Sequence, residues 1–128
     1  MSIAKMIAAH PDVEDHLNDP LAETIKHAMW AATLASSCAD ACVAEEHIIE
    51  MRPCFRKCSD LSDIAAMFST VAARRTGSNE QVIKAAMALL KTAAEECRDE
   101  CARHDKDHCK RMHTMCEELL EDIGKTTL

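Results

Sequence analysis

Residues 38–58 read Cys38-Ala39-Asp40-Ala41-Cys42-Val43-Ala44-Glu45-Glu46-His47-Ile48-Ile49-Glu50-Met51-Arg52-Pro53-Cys54-Phe55-Arg56-Lys57-Cys58. They hold two C-x-x-x-C pairs, and a spacing of four sets both cysteines of a pair on one helix face, one turn apart. Pro53 fits the first turn of a new helix, where a missing N–H costs nothing. The stretch therefore predicts a helical hairpin with four thiols facing inward near its turn. Cys97, Cys101, Cys109 and Cys116 repeat the arrangement around Asp105-Lys106-Asp107.

Working outward, the first helix is expected over about 21–46 and the second from near Pro53 to about Arg75. Thr76-Gly77-Ser78-Asn79 is the clearest turn, and Asn79 or Ser78 can cap a third helix running from about Glu80 to His104. A fourth follows the 105–107 connection and runs to about Ile123, stopped by Gly124. Pro11 and Pro20 bracket a polar stretch that predicts a short N-terminal helix with Pro11 at its first position. Short connections make this an all-α, antiparallel up-down-up-down four-helix bundle, one domain over 1–128. Residues 1–20 form an N-terminal extension and the bundle occupies about 21–123.

Apolar residues recur every three or four positions on each helix, which defines the inward stripes. They are His27, Ala31, Leu34, Cys38 and Cys42 on the first, and Cys54, Cys58, Leu61, Ala65, Phe68 and Ala72 on the second. The third gives Ile83, Met87, Leu90, Ala94, Cys97 and Cys101, and the fourth Cys109, Met112, Cys116, Leu120 and Ile123. All eight cysteines lie on stripes. Because both inter-helix turns that flank them fall at one end of the bundle, all eight thiols gather in one half of the core. Hairpin register then pairs Cys42 with Cys54, Cys38 with Cys58 and Cys101 with Cys109. Cys42, Cys54, Cys101 and Cys109 make an outer layer, with Cys38, Cys58, Cys97 and Cys116 about one turn deeper. The other half is expected to be aliphatic, packed by Leu61, Phe68, Ile83, Leu90 and Leu120.

Composition limits what such a core can be for. The net charge is −7, and there are only three aromatic residues, Trp30, Phe55 and Phe68. Nucleic acid is excluded as a partner, since neither a basic face nor stacking platforms are present. No run approaches the roughly 18 apolar residues of a membrane-spanning helix. The N-terminus lacks the hydrophobic region of an export signal, so the chain is expected in a reducing cytosol. There, eight thiols read as metal ligands before disulfides. Soft thiolates and thioethers select Cu(I), Zn(II) or iron–sulfur clusters, and Cu(I) suits helical pairs because it accepts two or three sulfurs. Met51, Met112 and Met115, with His47, His104, His108 and His113, crowd the thiol end as further ligands at a mouth. His10, His16 and His27 lie away from it. The expected metal set is Cys38, Cys42, Cys54, Cys58, Cys97, Cys101, Cys109, Cys116, Met112, His104 and His108. No Ser-His-Asp order, Gly-rich phosphate loop or H-E-x-x-H is found, so no enzyme is expected.

These motifs resemble the bacterial cysteine-rich four-helix-bundle copper-binding proteins, which include the cytosolic copper storage proteins. The resemblance rests on Cys38-Ala39-Asp40-Ala41-Cys42 followed by Glu45-Glu46, on Cys54-Phe55-Arg56-Lys57-Cys58-Ser59-Asp60, on Cys97-Arg98-Asp99-Glu100-Cys101-Ala102-Arg103-His104 and on His108-Cys109. It implies several Cu(I) ions bound along the core by cysteines from all four helices, often in a homo-oligomer, for storage, buffering or detoxification. Ala35, Leu61, Ala65, Ala94 and Met112 stand where the richest members look to carry further cysteines, which implies a lower capacity. Two other readings fit the residues. The thiols could hold zinc or an iron–sulfur cluster. The twin C-x-x-x-C motifs also resemble the disulfide-clamped helical hairpins of the small Tim chaperones, an interaction protein rather than a metal store.

Overall fold

The structure, a computed structural model, describes residues 2–13 and 18–128. Five helices follow one another: α1 (Ile3–Ala8), α2 (Asp19–Val43), α3 (Ile48–Ala72), α4 (Glu80–Cys101) and α5 (Asp107–Lys125). No strand occurs among the described residues. The helix α2 packs on α3 and α5, and α4 packs on the same two. Four long antiparallel helices thus close into a square, with α2 diagonal to α4, and α1 rests on α2.

Local chemistry sets the helix ends. Asn18 caps α2, its Oδ1 accepting from Leu21 N at 3.0 Å, with Pro20 in the first turn. Its Nδ2 donates to the Thr127 carbonyl at 2.9 Å, which ties the C-terminus to the start of α2. Gly77 has φ of 80°, so the turn from α3 to α4 uses the left-handed region that glycine enters freely. Asn79 stands at the start of α4 without capping it. Its side chain instead holds the turn, accepting from Thr76 N and donating to the Arg74 carbonyl.

Several ends differ from the sequence expectation. The short N-terminal helix lies at Ile3–Ala8, while residues 11–13 form a turn and 14–17 fall outside the described residues. The hydroxyl of Ser2 caps it, and Ile7 and Ile3 give it an apolar face on the core. Of the stretch after Pro11, Val13 is buried in the core. The helix α3 starts at Ile48, so Pro53 is inside it. The carbonyl that Pro53 leaves without a donor belongs to Ile49, which is 70% exposed, and water can satisfy it there. The helix α4 closes at Cys101, which puts His104 in the connection, and α5 runs through Gly124 to Lys125.

The core divides as expected, with two corrections. All eight cysteines are buried at one end, and Leu61, Phe68, Ile83 and Leu90 are buried in the other half. Leu34 is exposed, and Ala28, Ala31, Ala35 and Ala39 form the buried seam of α2 with Cys38 and Cys42. At 100° per residue, Leu34 points roughly 90° away from the middle of that seam. On α5 the buried leucine is Leu119, and Leu120 is only partly buried. Small seam residues let α2 approach its neighbours closely, and a leucine there would overfill the interface.

Candidate metal centre

The thiol half is built from the last turns of α2 and α4 and the first turns of α3 and α5. All eight cysteines are free and buried. Cys54 is the hub. Its Sγ lies 3.9 Å from Cys58, 3.9 Å from Cys101 and 3.8 Å from Cys109. Cys97 touches Cys58 at 3.7 Å and Cys101 at 4.0 Å. Two sets of donor atoms converge to within 4.8 Å: Cys38, Cys54, Cys58 and Cys101 in one, and Cys38, Cys42, His108 and Cys109 in the other.

Cys38 belongs to both sets, so the sulfurs are not two flat layers of four. The expected hairpin register would set Ser62 against Leu34. Instead the Ser62 hydroxyl donates to the Ala32 carbonyl at 2.7 Å. Cys38 makes contact with both Cys54 and Cys58, one from each expected layer, and so links the sets. Within the expected layers, Cys54 meets Cys101 and Cys109, and Cys58 meets Cys97.

His108 leans into the thiols. Its Nδ1 lies 3.3 Å from Cys38 Sγ and 3.6 Å from Cys109 Sγ. The other ring nitrogen, Nε2, is held at 3.1 Å by Glu45, which also pairs with Lys106 at 3.3 Å. A carboxylate on the far nitrogen is the usual device for aiming an imidazole at a metal. Sequence reading assigned Glu45 no role. The available signal was the need of an inward-facing histidine for an outer carboxylate partner.

His104 joins neither set. Its Nε2 is 2.7 Å from Oε2 of Glu100, a buried carboxylate that also meets Arg103. It lines a surface depression of about 510 Å³ with Cys101, Lys110, His113 and Thr114. Cys116 is buried on the same face of α5 as Cys109 and also joins neither set. Met112 is buried between them, and Met51 and Met115 are buried at the same end.

Charge distribution in the cluster is uneven. The thiol of Cys38 is lowered to about 6: contact with Cys101 opposes its ionisation, and hydrogen bonds with Cys54, Cys58 and His108 outweigh it. Cys54 is also lowered to about 6, chiefly by its contact with Cys101 and further by Cys58 and Cys42. Cys42 and Cys109 are pushed up by burial and then by the charge on Cys54, and Cys58 is pushed up by its thiol neighbours. Burial alone would lower His108, but Cys38 and Glu45 raise it above its ordinary value. Glu45 is held below the usual carboxylate range by His108 and then by Lys106. Negative charge in this soft pocket therefore favours Cys38 and Cys54, while Cys42, Cys58 and Cys109 hold their protons until a metal displaces them.

Three comparisons bear on this arrangement. A family model described as copper storage protein matches residues 17–127. The structure of the copper storage protein Ccsp from Streptomyces lividans, loaded with 10 copper equivalents, is 25% identical over 97% of this chain and 96% of its own, with a TM-score of 0.90. A structure of a cytosolic copper storage protein from Streptomyces lividans with five coppers is 27% identical over 84% of this chain and 92% of its own, with a TM-score of 0.81. No curated protein gives a significant match.

Proposed function

The chain belongs to the copper storage protein family, and from that premise we propose that it sequesters several Cu(I) ions on its core thiolates for storage, buffering or detoxification. The observation that carries this reading is the convergence of seven cysteines and His108 from four helices into one buried, connected set of donors. A Cu(I) ion needs only two or three sulfurs, so neighbouring ions can share bridging thiolates. Cys38, which stands in both donor sets, is the natural bridge.

The ligands in this reading are Cys38, Cys42, Cys54, Cys58, Cys97, Cys101, Cys109 and Cys116, with Met112, His104 and His108 as supplementary donors. His108 is the strongest of the three, because its Nδ1 faces two thiols while Glu45 holds it there. The store is passive: thiols lose their protons as copper binds, and release needs a competing ligand. The protein is read as a store without catalysis of its own. It is read as cytosolic, as its similar Streptomyces counterpart is described. A homo-oligomer is supported by the exposed apolar side chains Met29, Trp30 and Leu34 on α2 and Val82 and Leu89 on α4.

Anaerobic titration with Cu(I) against a chromophoric chelator tests the reading. Several ions per chain, bound far more tightly than by glutathione, are expected. Fewer than one ion, or affinity no better than glutathione's, sinks it. Elemental analysis after growth with copper and zinc together checks the metal, and light scattering checks the oligomer.

A further inference from the structure

The two donor sets at the thiol end differ in chemistry. One holds four sulfurs, from Cys38, Cys54, Cys58 and Cys101, and every member is buried. The other joins three sulfurs, from Cys38, Cys42 and Cys109, to the imidazole of His108, whose side chain is 23% exposed. This mixed set is drawn from α2 and α5 alone: Cys38 and Cys42 stand one turn apart, and His108 and Cys109 open the facing helix. Cys38 belongs to both sets, so an ion that takes all the donors of one leaves the other a ligand short.

Three features of the mixed set match an ion other than Cu(I). Its donors outnumber the two or three sulfurs that Cu(I) needs, while three thiolates with one imidazole are a tetrahedral zinc composition. Spacing agrees. Bonds of about 2.3 Å to sulfur and about 2.0 Å to nitrogen put the S and N corners of a zinc tetrahedron about 3.5 Å apart. His108 Nδ1 stands 3.3 Å from Cys38 Sγ and 3.6 Å from Cys109 Sγ. The third feature is Glu45, which lies 3.1 Å from His108 Nε2. That carboxylate holds the proton on Nε2, so the Nδ1 lone pair faces the sulfurs, as in carboxylate–histidine–zinc triads.

We propose that Cys38, Cys42, Cys109 and His108 form a tetrahedral site for one Zn²⁺ ion in the copper-free protein, which Cu(I) takes over as the store fills. This rests on the reading of the thiol end as a cuprous core. The four-sulfur set has similar spacing, with Cys54 3.9 Å from both Cys58 and Cys101, and charge decides between the two. Four thiolates around Zn²⁺ leave two negative charges in excess among fully buried groups. Three thiolates with a neutral imidazole leave one, at a half-buried residue. Binding replaces three thiol protons with the ion. Because the sets share Cys38, a second Zn²⁺ finds no complete tetrahedron, and one ion per chain is the expected load.

Co²⁺ is the probe, since it takes the same tetrahedral sites as Zn²⁺ and is coloured there. Reduced, copper-free, full-length protein is titrated anaerobically with Co²⁺ while its visible d–d bands and near-ultraviolet sulfur-to-cobalt charge transfer are read. Tetrahedral bands saturating at one Co²⁺ per chain are expected, and one equivalent of Zn²⁺ should bleach them. Glu45→Ala leaves every donor in place and should raise the Zn²⁺ dissociation constant, measured against a chromophoric chelator, by about tenfold or more. His108→Ala removes a ligand, so it should raise that constant further and shift the bands. Cys58→Ser, outside the mixed set, should lower Cu(I) capacity and leave the cobalt spectrum as it is. The proposal is overturned by the absence of a tetrahedral spectrum, by saturation at two ions or more, or by bands unmoved in His108→Ala. Bands lost in a Cys58→Ser protein that stays folded by circular dichroism overturn it too, since they place the ion among four sulfurs. Cu(I) titration of the same protein keeps the two readings apart: several Cu(I) bound without a tetrahedral cobalt spectrum removes the zinc site and leaves the copper store standing.

Discussion

Cys54 is the residue on which the thiol cluster turns, since three other sulfurs lie within 3.9 Å of it. A thiolate there is solvated by neighbouring S–H groups instead of water, which is why ionisation is concentrated on Cys54 and Cys38 and resisted at Cys42, Cys58, Cys101 and Cys109. The sign follows directly. Both lowered groups are protonated well below about pH 6 and charged above it. In the copper-free protein, ultraviolet thiolate absorbance should rise by about two thiolates per chain as pH passes through 6, while Cys42, Cys58, Cys101 and Cys109 stay protonated until strongly alkaline pH. In His108→Ala the ionisation near pH 6 should move to higher pH, because contact with His108 helps to lower Cys38. A single step near the free-cysteine value would refute this charge pattern. The same geometry ranks ligands for copper. Cys54→Ser removes a sulfur shared by several neighbours and should lower capacity by more than one ion, whereas Cys116→Ser should cost at most about one. Equal losses in chelator competition would show that the hub has no special part in the metal core.

At the scale of the helices, one half of each stripe is chemistry and the other half is packing. Phe68 is fully buried and lies on α3 beyond Leu61 and Ala65, away from the thiols. Phe68→Ala should destabilise the fold by about 3–5 kcal/mol, measured by denaturant unfolding, and leave Cu(I) stoichiometry unchanged. A loss of capacity in the folded variant would contradict this division of the core. The division was legible in the sequence because i,i+3 and i,i+4 recurrence fixes helical phase, and phase decides which side chains face inward. All eight cysteines follow from that rule. Leu34 does not, because a step from Ala31 to either 34 or 35 satisfies the periodicity. Only the close packing of α2 on its neighbours, which selects Ala35, decides between them. Register was legible only approximately. That error is small for the fold and large for the site, since it moves Cys38 from one layer to the link between two sets. Glu45 was harder still, for its role depends on contact with a residue 63 positions away.

Across the whole molecule, the two halves should differ in stability until metal arrives. Cysteine is a small core residue, so the thiol half buries less apolar surface than the half held by Phe68, Leu61, Ile83, Leu90 and Leu119. Sulfurs at 3.7–4.0 Å are in contact without being bonded, and nothing covalent joins the four helices there. In the copper-free protein the ends around the 44–47 and 102–106 connections are expected to open locally at lower cost than the aliphatic half. Cu(I) bound by thiolates from α2, α3, α4 and α5 would cross-link all four helices at that weak end. Ligand excess of a thousandfold over the dissociation constant stabilises the native state by about 4 kcal/mol. For a domain of this length that is a rise in Tm on the order of 10 °C or more, within one cooperative transition if the chain is a single folding unit. The location of the effect is the sharper test. Hydrogen exchange should slow on copper loading in the last turns of α2 and α4 and the first turns of α3 and α5, and change little around Phe68 and Leu90. Equal protection at both ends would mean that copper acts on the bundle globally, and protection confined to the Phe68 end would put the metal core in the wrong half of the molecule.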